Sequence, residues 1–243
     1  MTYCVGLQLD RGLVFMSDTR TNAGVDNVST FRKLFTWEVP GDRTIVLMTA
    51  GNLATTQAVV SLLDERNLAA SDRAPSLLTV PSMFQAARLV GHTLREEISE
   101  HRDAGPKAAS TFGATMILGG QIKGSQPRLY MIYPEGNFVE AQNDTPFFQI
   151  GETKYGRPIL VRAYDPKMDF AKAVKLLMVS FDSTIRANLS VGTPLDLQII
   201  ETDGLRLGQS RRIEETDPDW AAISDGWSDA LRRAFDSLPD ATL

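Results

Sequence analysis

Residues 2–20 read TYCVGLQLDRGLVFMSDTR, and this stretch sets the architecture. Tyr3, Val5, Leu7 and Leu9 alternate with smaller or polar residues, and Asp10, Arg11 and Gly12 supply a turn. Leu13 to Met16 then resumes the apolar run, so the segment predicts a β-hairpin. Working outward, Leu34 to Val39 and Thr44 to Met48 give two more strands, with Pro40, Gly41, Asp42 and Arg43 as the turn between them. Apolar residues recur at three- and four-residue spacing from Leu53 to Leu68 and from Met83 to Ile98, which predicts two amphipathic helices. The Ala70 to Pro81 segment between them is a surface connection. Strand character returns at Thr111 to Leu118 and Arg128 to Tyr133, with Gly119, Gly120 and residues 124–127 read as turn material. Phe138 to Ala141 and Phe147 to Ile150 are further short strands. Phe170, Val174, Leu177, Phe181, Ile185 and Leu189 mark one face of a long helix, and Leu195 to Glu201 is again a strand.

Helices come in groups rather than alternating one for one with strands, which argues against a Rossmann-type winding. The order fits an α+β fold: two antiparallel sheets face to face, helix pairs outside, one domain across residues 1–243. Asp217, Pro218 and Asp219 open a last amphipathic helix to about residue 238, with Trp220, Ile223, Trp227, Leu231, Phe235 and Leu238 as its stripe. That stripe suits either packing on its own domain or a contact between subunits.

A formal net charge of -5 gives no basic field for nucleic acid or anionic lipid. No apolar run is long enough to span a membrane, and the start of the chain lacks the pattern of a secretory signal. Cys4 is the single cysteine, so no intrachain disulfide forms and a reducing, cytoplasmic setting fits. It alternates within a strand and reads as a core residue. His92 and His101 do not share a helix face as metal ligands would. No P-loop, dinucleotide-binding glycine motif or GxSxG is present, and no cofactor or metal is expected.

The candidate chemistry begins at Thr2. Removal of Met1 would leave one residue carrying both a nucleophile, Oγ1, and a base, its own α-amine, whose reference pKa of ~7.7–8.0 suits neutral pH. Asp18 ends an apolar strand and Lys33 precedes another. Taken by themselves, these two charges fit an ordinary surface pair.

In order along the chain stand Thr2, the strand into Ser17-Asp18-Thr19-Arg20, Thr21 to Gly24, Lys33 and Ala50-Gly51. This order resembles the β-subunits of proteasomes and the peptidase subunit of the simpler bacterial ATP-dependent two-part protease. Within that family the chain is most similar to the bacterial Anbu branch, the proposed ancestral β-subunit. Arg186 to Gly192 and Pro194 to Asp196 carry that resemblance. It implies the four-layer αββα sandwich of N-terminal nucleophile hydrolases and a self-assembling threonine peptidase. Thr2 becomes the nucleophile, Lys33 the charge favouring its deprotonation, Asp18 the orienting carboxylate, and the Gly51 N–H an oxyanion donor. Thr21 and Asn22 become the strand that pairs with substrate. The resemblance also implies a peptide or unfolded-protein substrate and a homo-oligomeric ring or ring-like assembly, and it leaves an ATPase unfoldase partner open.

Three features depart from the family pattern. Lys33 lies one residue nearer Thr2 than usual. The Gly-Ser-Gly-Ser turn becomes Gly151-Glu152-Thr153-Lys154, so that Glu152 either meets the amine or faces solvent. The helper Asp-x-x-Ser becomes Ala187-Asn188-Leu189-Ser190, which keeps Ser190 and loses the aspartate. Two other functions therefore stay open: a catalytically weak or inactive scaffold or binding subunit, and an amidohydrolase acting on small amides.

Overall fold

The structure is a computed structural model that describes residues 2–22, 28–68, 75–100 and 112–242. Met1, Gly24, His101, Thr111 and the first part of the Ala70 to Pro81 connection lie outside the described residues.

The opening hairpin forms as its sequence predicts, with β1 (Tyr3–Leu9) antiparallel to β2 (Gly12–Asp18). A short pair follows, β3 (Arg20–Asn22) on β4 (Val28–Thr30). Next come β5 (Leu34–Val39), β6 (Arg43–Gly51), α1 (Leu53–Leu68) and α2 (Met83–Glu100). The second half contains β7 (Ala114–Ile122), β8 (Arg128–Ile132), β9 (Phe138–Glu140) and β10 (Phe147–Gly151). It ends with α3 (Arg157–Ala163), α4 (Phe170–Ala187), β11 (Leu195–Glu201), β12 (Ser210–Ile213) and α5 (Pro218–Asp236).

One five-stranded sheet runs β10-β1-β2-β11-β12 and the other β5-β6-β7-β8-β9. They stack through Cys4, Phe15, Met48, Ile117, Leu129 and Phe148 among others, all buried. The outer face of the second sheet packs on α1 and α2 through residues such as Leu47, Val59, Val90 and Met116. The outer face of the first packs on the later helices through Tyr3, Leu7, Leu160, Leu177 and Phe181. The layers are therefore αββα. Because both faces of each sheet are covered, β1 is buried along most of its length instead of alternating in and out.

Two readings need correction. Gly119 and Gly120 are not a turn but lie inside β7. A Cβ at Gly119 would come within 2.6 Å of the Phe15 ring, and one at Gly120 within 2.2 Å of the Thr44 carbonyl oxygen. These glycines are there for close packing across and within the sheets. Leu189 does not extend the stripe of α4: the helix ends at Ala187, Asn188 takes extended backbone at φ -144°, and Leu189 is 86% exposed. The sequence reading also passed over α3 and β12, both too short for periodicity to register.

Asp217 caps α5, its side chain accepting from the N–H groups of Asp219 and Trp220. Trp220 is buried in its own layer, whereas Leu231, Phe235 and Leu238 stand exposed, so only part of the predicted stripe packs on its own domain.

Candidate active site

Thr2 precedes β1 and is 9% exposed. β1 pairs with β10 so that Tyr3 faces Gly151, and one further step sets Thr2 opposite Glu152. The Glu152 N–H donates to the Thr2 carbonyl at 2.7 Å. Gly151 allows this closure: its φ is +84°, and a Cβ there would stand 1.9 Å from the Thr2 oxygen.

Asp18 closes β2, the strand beside β1, and is wholly buried. Its Oδ1 accepts from the Tyr3 N–H at 2.9 Å and from Lys33 Nζ at 2.8 Å. Lys33 is 4% exposed and also donates to the Arg20 carbonyl at 2.6 Å. The bare reading of Asp18 and Lys33 as a surface pair is thus overturned, because both side chains lie inside the sandwich. Burial pushes the Asp18 carboxyl above its ordinary value, while the Lys33 ammonium and the Tyr3 N–H pull it back. Asp18 thereby joins the Lys33 ammonium to the backbone N–H of Tyr3, the residue after Thr2.

Gly51 ends β6 in the left-handed region, φ +121°, and a Cβ there would meet the Gly113 carbonyl at 2.4 Å. Two bonds tie this strand end to the site. The Thr49 N–H donates to the Lys33 carbonyl at 3.0 Å, and the Cys4 thiol approaches the Thr49 carbonyl at 3.7 Å. Cys4 is buried and its thiol is pushed well up, foremost by burial, so it stays protonated as a core residue. Thr21 and Asn22 lie in β3, opposite Ser29 and Val28. Arg20, at the start of that strand, reaches the Leu189 carbonyl with its guanidinium at 3.1 Å.

Glu152 does not face solvent: it is 8% exposed, and Asn188 donates to its Oε2 at 3.0 Å. Asn188 Oδ1 in turn accepts the Ser190 N–H at 2.9 Å. Glu152, whose N–H meets the Thr2 carbonyl, is therefore joined through Asn188 to Ser190, the serine of the helper motif. Asn188 escaped the sequence reading because only the bend after α4 brings it to Glu152. His92 is next to Arg95, at 3.1 Å, away from all of this. Among the described residues no group of His, Cys, Asp and Glu is arranged to hold a metal ion.

The family described as proteasome subunit matches residues 2–200. A solved Anbu (Gly-1) mutant from Hyphomicrobium sp. strain MC1 is 51% identical, each chain covering 100% of the other, with a TM-score of 0.92. Anbu (ancestral beta-subunit) from Yersinia bercovieri is 48% identical over 99% of this chain and 100% of its own, also with a TM-score of 0.92. A structure described as the helical assembly of the Anbu complex from Pseudomonas aeruginosa is 48% identical over 99% of this chain and 98% of its own, with a TM-score of 0.90. No curated protein matches. With matches of this extent and identity, the chain belongs to the proteasome subunit family, in its Anbu branch.

Proposed function

We propose that this chain is a self-assembling proteasome-type subunit whose Thr2 provides a slow N-terminal-threonine hydrolase site. The observation that carries the chemistry is the buried Lys33–Asp18 pair, tied to Thr2 through the Tyr3 N–H. In the reaction, Thr2 Oγ1 attacks the substrate carbonyl and its proton passes to the freed α-amine. The Gly51 N–H stabilises the oxyanion. On collapse the C–N bond breaks and the amine's proton goes to the leaving nitrogen, which leaves an ester on Oγ1. Water, deprotonated by the same amine, then attacks the ester, the acid departs and Oγ1 recovers its proton. Lys33 stabilises the alkoxide and Asp18 offsets the lysine's loss of hydration. Thr21 and Asn22 offer backbone pairing to an extended peptide.

Slowness follows from the shell around the amine. Glu152 stands where the family has a helper serine and Ala187 where it has the helper aspartate, and this also favours a second reading, a binding or scaffold subunit without turnover. Assembly has two supports: the helical assembly of the Pseudomonas aeruginosa relative, and an apolar groove of about 770 Å³ between α3, α4 and α5, near the exposed Leu231. Among the described residues no helix is long and apolar enough to cross a membrane.

The deciding comparison is wild type against Thr2→Ala on a panel of peptides and small amides, with intact mass recorded for each assembled protein. Loss of Met1 and a signal that disappears with Thr2 are expected. Retained Met1 in the assembled protein, or equal signals from both proteins, would overturn the hydrolase and leave the scaffold.

A further inference from the structure

We infer that Glu152, held by Asn188, forms an ion pair with the Thr2 ammonium and makes this site a late base, which gains its free amine only above the pH at which an ordinary α-amine does. The inference rests on the proposed role of Thr2 and adds the group that governs its protonation.

The β1–β10 ladder ends at Tyr3 and Gly151, and the Glu152 N–H on the Thr2 carbonyl brings Glu152 alongside Thr2 one residue beyond it. The Glu152 carboxylate is nearly dry. It takes one amide N–H from Asn188 and only a long approach, 3.5 Å, from the Lys154 N–H. Among the described residues it meets no cationic side chain. A carboxylate taken out of water in this way calls for a positive partner, and the α-ammonium of a processed Thr2 lies in the adjoining position.

The other charged groups around Thr2 do not duplicate this effect. Asp18, from β2, and Lys33, ahead of β5, offset each other at 2.8 Å. The Arg20 guanidinium is engaged with the Leu189 carbonyl and packs against Gly192. The Cys4 thiol is neutral. Glu152, bonded to Thr2 through its backbone, is left as the charge without a cationic side chain among the described residues. A negative neighbour stabilises the ammonium form, so the amine's titration moves upward and the free base becomes scarcer at neutral pH. Asn188 acts as a positioning residue: its amide spans the Glu152 carboxylate and the Ser190 N–H, which holds the carboxylate in place.

The test needs no turnover. A peptide β-lactone acylates a competent Oγ1 by ring opening: the threonine proton passes through the amine to the released alkoxide, and intact mass reports the adduct. Labelling rates would be measured between pH 6 and 10 for processed wild type, E152Q, N188A and T2A. The wild-type midpoint is expected above the ordinary α-amine range of ~7.7–8.0. E152Q should lower it by about one unit, which raises labelling near pH 7 about tenfold. N188A keeps the carboxylate but frees it, and its midpoint should fall between those two. If wild type and E152Q label at Thr2 with the same midpoint, the inference fails while the nucleophile stands. If N188A keeps the wild-type midpoint, the positioning role fails. Labelling that is absent throughout, or equal in T2A, removes the Thr2 reading and this inference with it.

Discussion

Replacing Lys33 with Met keeps the aliphatic stem and removes the ammonium from a wholly buried Asp18. The carboxylate would keep the Tyr3 N–H on Oδ1, and its Oδ2 has no hydrogen-bond partner among the described residues. Breaking a buried pair from one side typically costs about 3–5 kcal/mol. The escape route is protonation of Asp18, and that sets a ceiling. Neutralising a carboxyl of reference pKa ~3.9 costs about 5.6 kcal/mol at pH 8 and about 1.5 kcal/mol at pH 5. The penalty of Lys33→Met should therefore be about 3–5 kcal/mol at pH 8, a fall of about 6–20 °C in Tm for a chain of this size, and shrink severalfold by pH 5. Urea and thermal unfolding at fixed protomer concentration would read it, with the concentration held because assembly itself adds stability. The double change Asp18→Asn with Lys33→Met leaves no charge stranded and should recover most of the loss at pH 8. A cost below about 1 kcal/mol at pH 8, or one that does not change between pH 8 and pH 5, would refute the claim that these charges are desolvated partners.

Two further outcomes follow from the same geometry. Asp18 has its carboxyl raised by burial in the folded chain, so the folded state holds the proton more firmly than the unfolded state does. Raising the pH from 3.8 through that window should lower wild-type stability relative to Asp18→Asn, and a midpoint difference that grows the other way in urea titrations would contradict it. Gly151→Ala puts a Cβ 1.9 Å from the Thr2 carbonyl at a φ of +84°, so it should break the Glu152 N–H bond, cost about 1–3 kcal/mol and abolish Thr2 labelling. Normal labelling with unchanged stability would show that the Thr2–Glu152 pairing does not hold the site together.

What was legible in the sequence follows the physics of each element. The strands of the opening hairpin and β11 were readable as apolar runs bounded by turn residues, α2 because its apolar residues recur on one face, and Asp217 announced α5 through its capping chemistry. Gly119 and Gly120 misled because glycine marks both a turn and a backbone pressed against a neighbour. Only the positions of Phe15 on the facing sheet and of the Thr44 carbonyl on the neighbouring strand tell the two apart. The burial of Asp18 and Lys33 was equally invisible locally: a charge at a strand end looks the same whether that end meets solvent or a second sheet. Glu152 was ambiguous for the same reason, and Asn188 was silent because its role depends on where α4 stops.

The site's members are far apart in sequence, yet nearly all stand at strand termini. Thr2 lies before β1, Asp18 closes β2, Gly51 closes β6, Lys33 precedes β5 and Glu152 follows β10. In an antiparallel pair, the start of one strand lies beside the end of the next, so the register that pairs Cys4 with Ser17 and Tyr3 with Gly151 gathers Thr2, Asp18 and Glu152, and the Asp18–Lys33 and Lys33–Thr49 bonds add the strand ends of the second sheet. Leu195, opposite Asp18 at the start of β11, brings the segment holding Asn188 and Ser190 to the same place. Hydrogen-bonded ladders fix these ends more rigidly than loops would, and the buried Asp18–Lys33 pair depends on that rigidity to offset its desolvation. The amine's shell is different, because Glu152 and Asn188 lie just past the ends of β10 and α4 rather than within them. A lineage can therefore change the residues just past β10 and α4 without disturbing the ladder that holds Thr2 in place, and this chain has the Thr2, Asp18 and Lys33 framework alongside an altered surround.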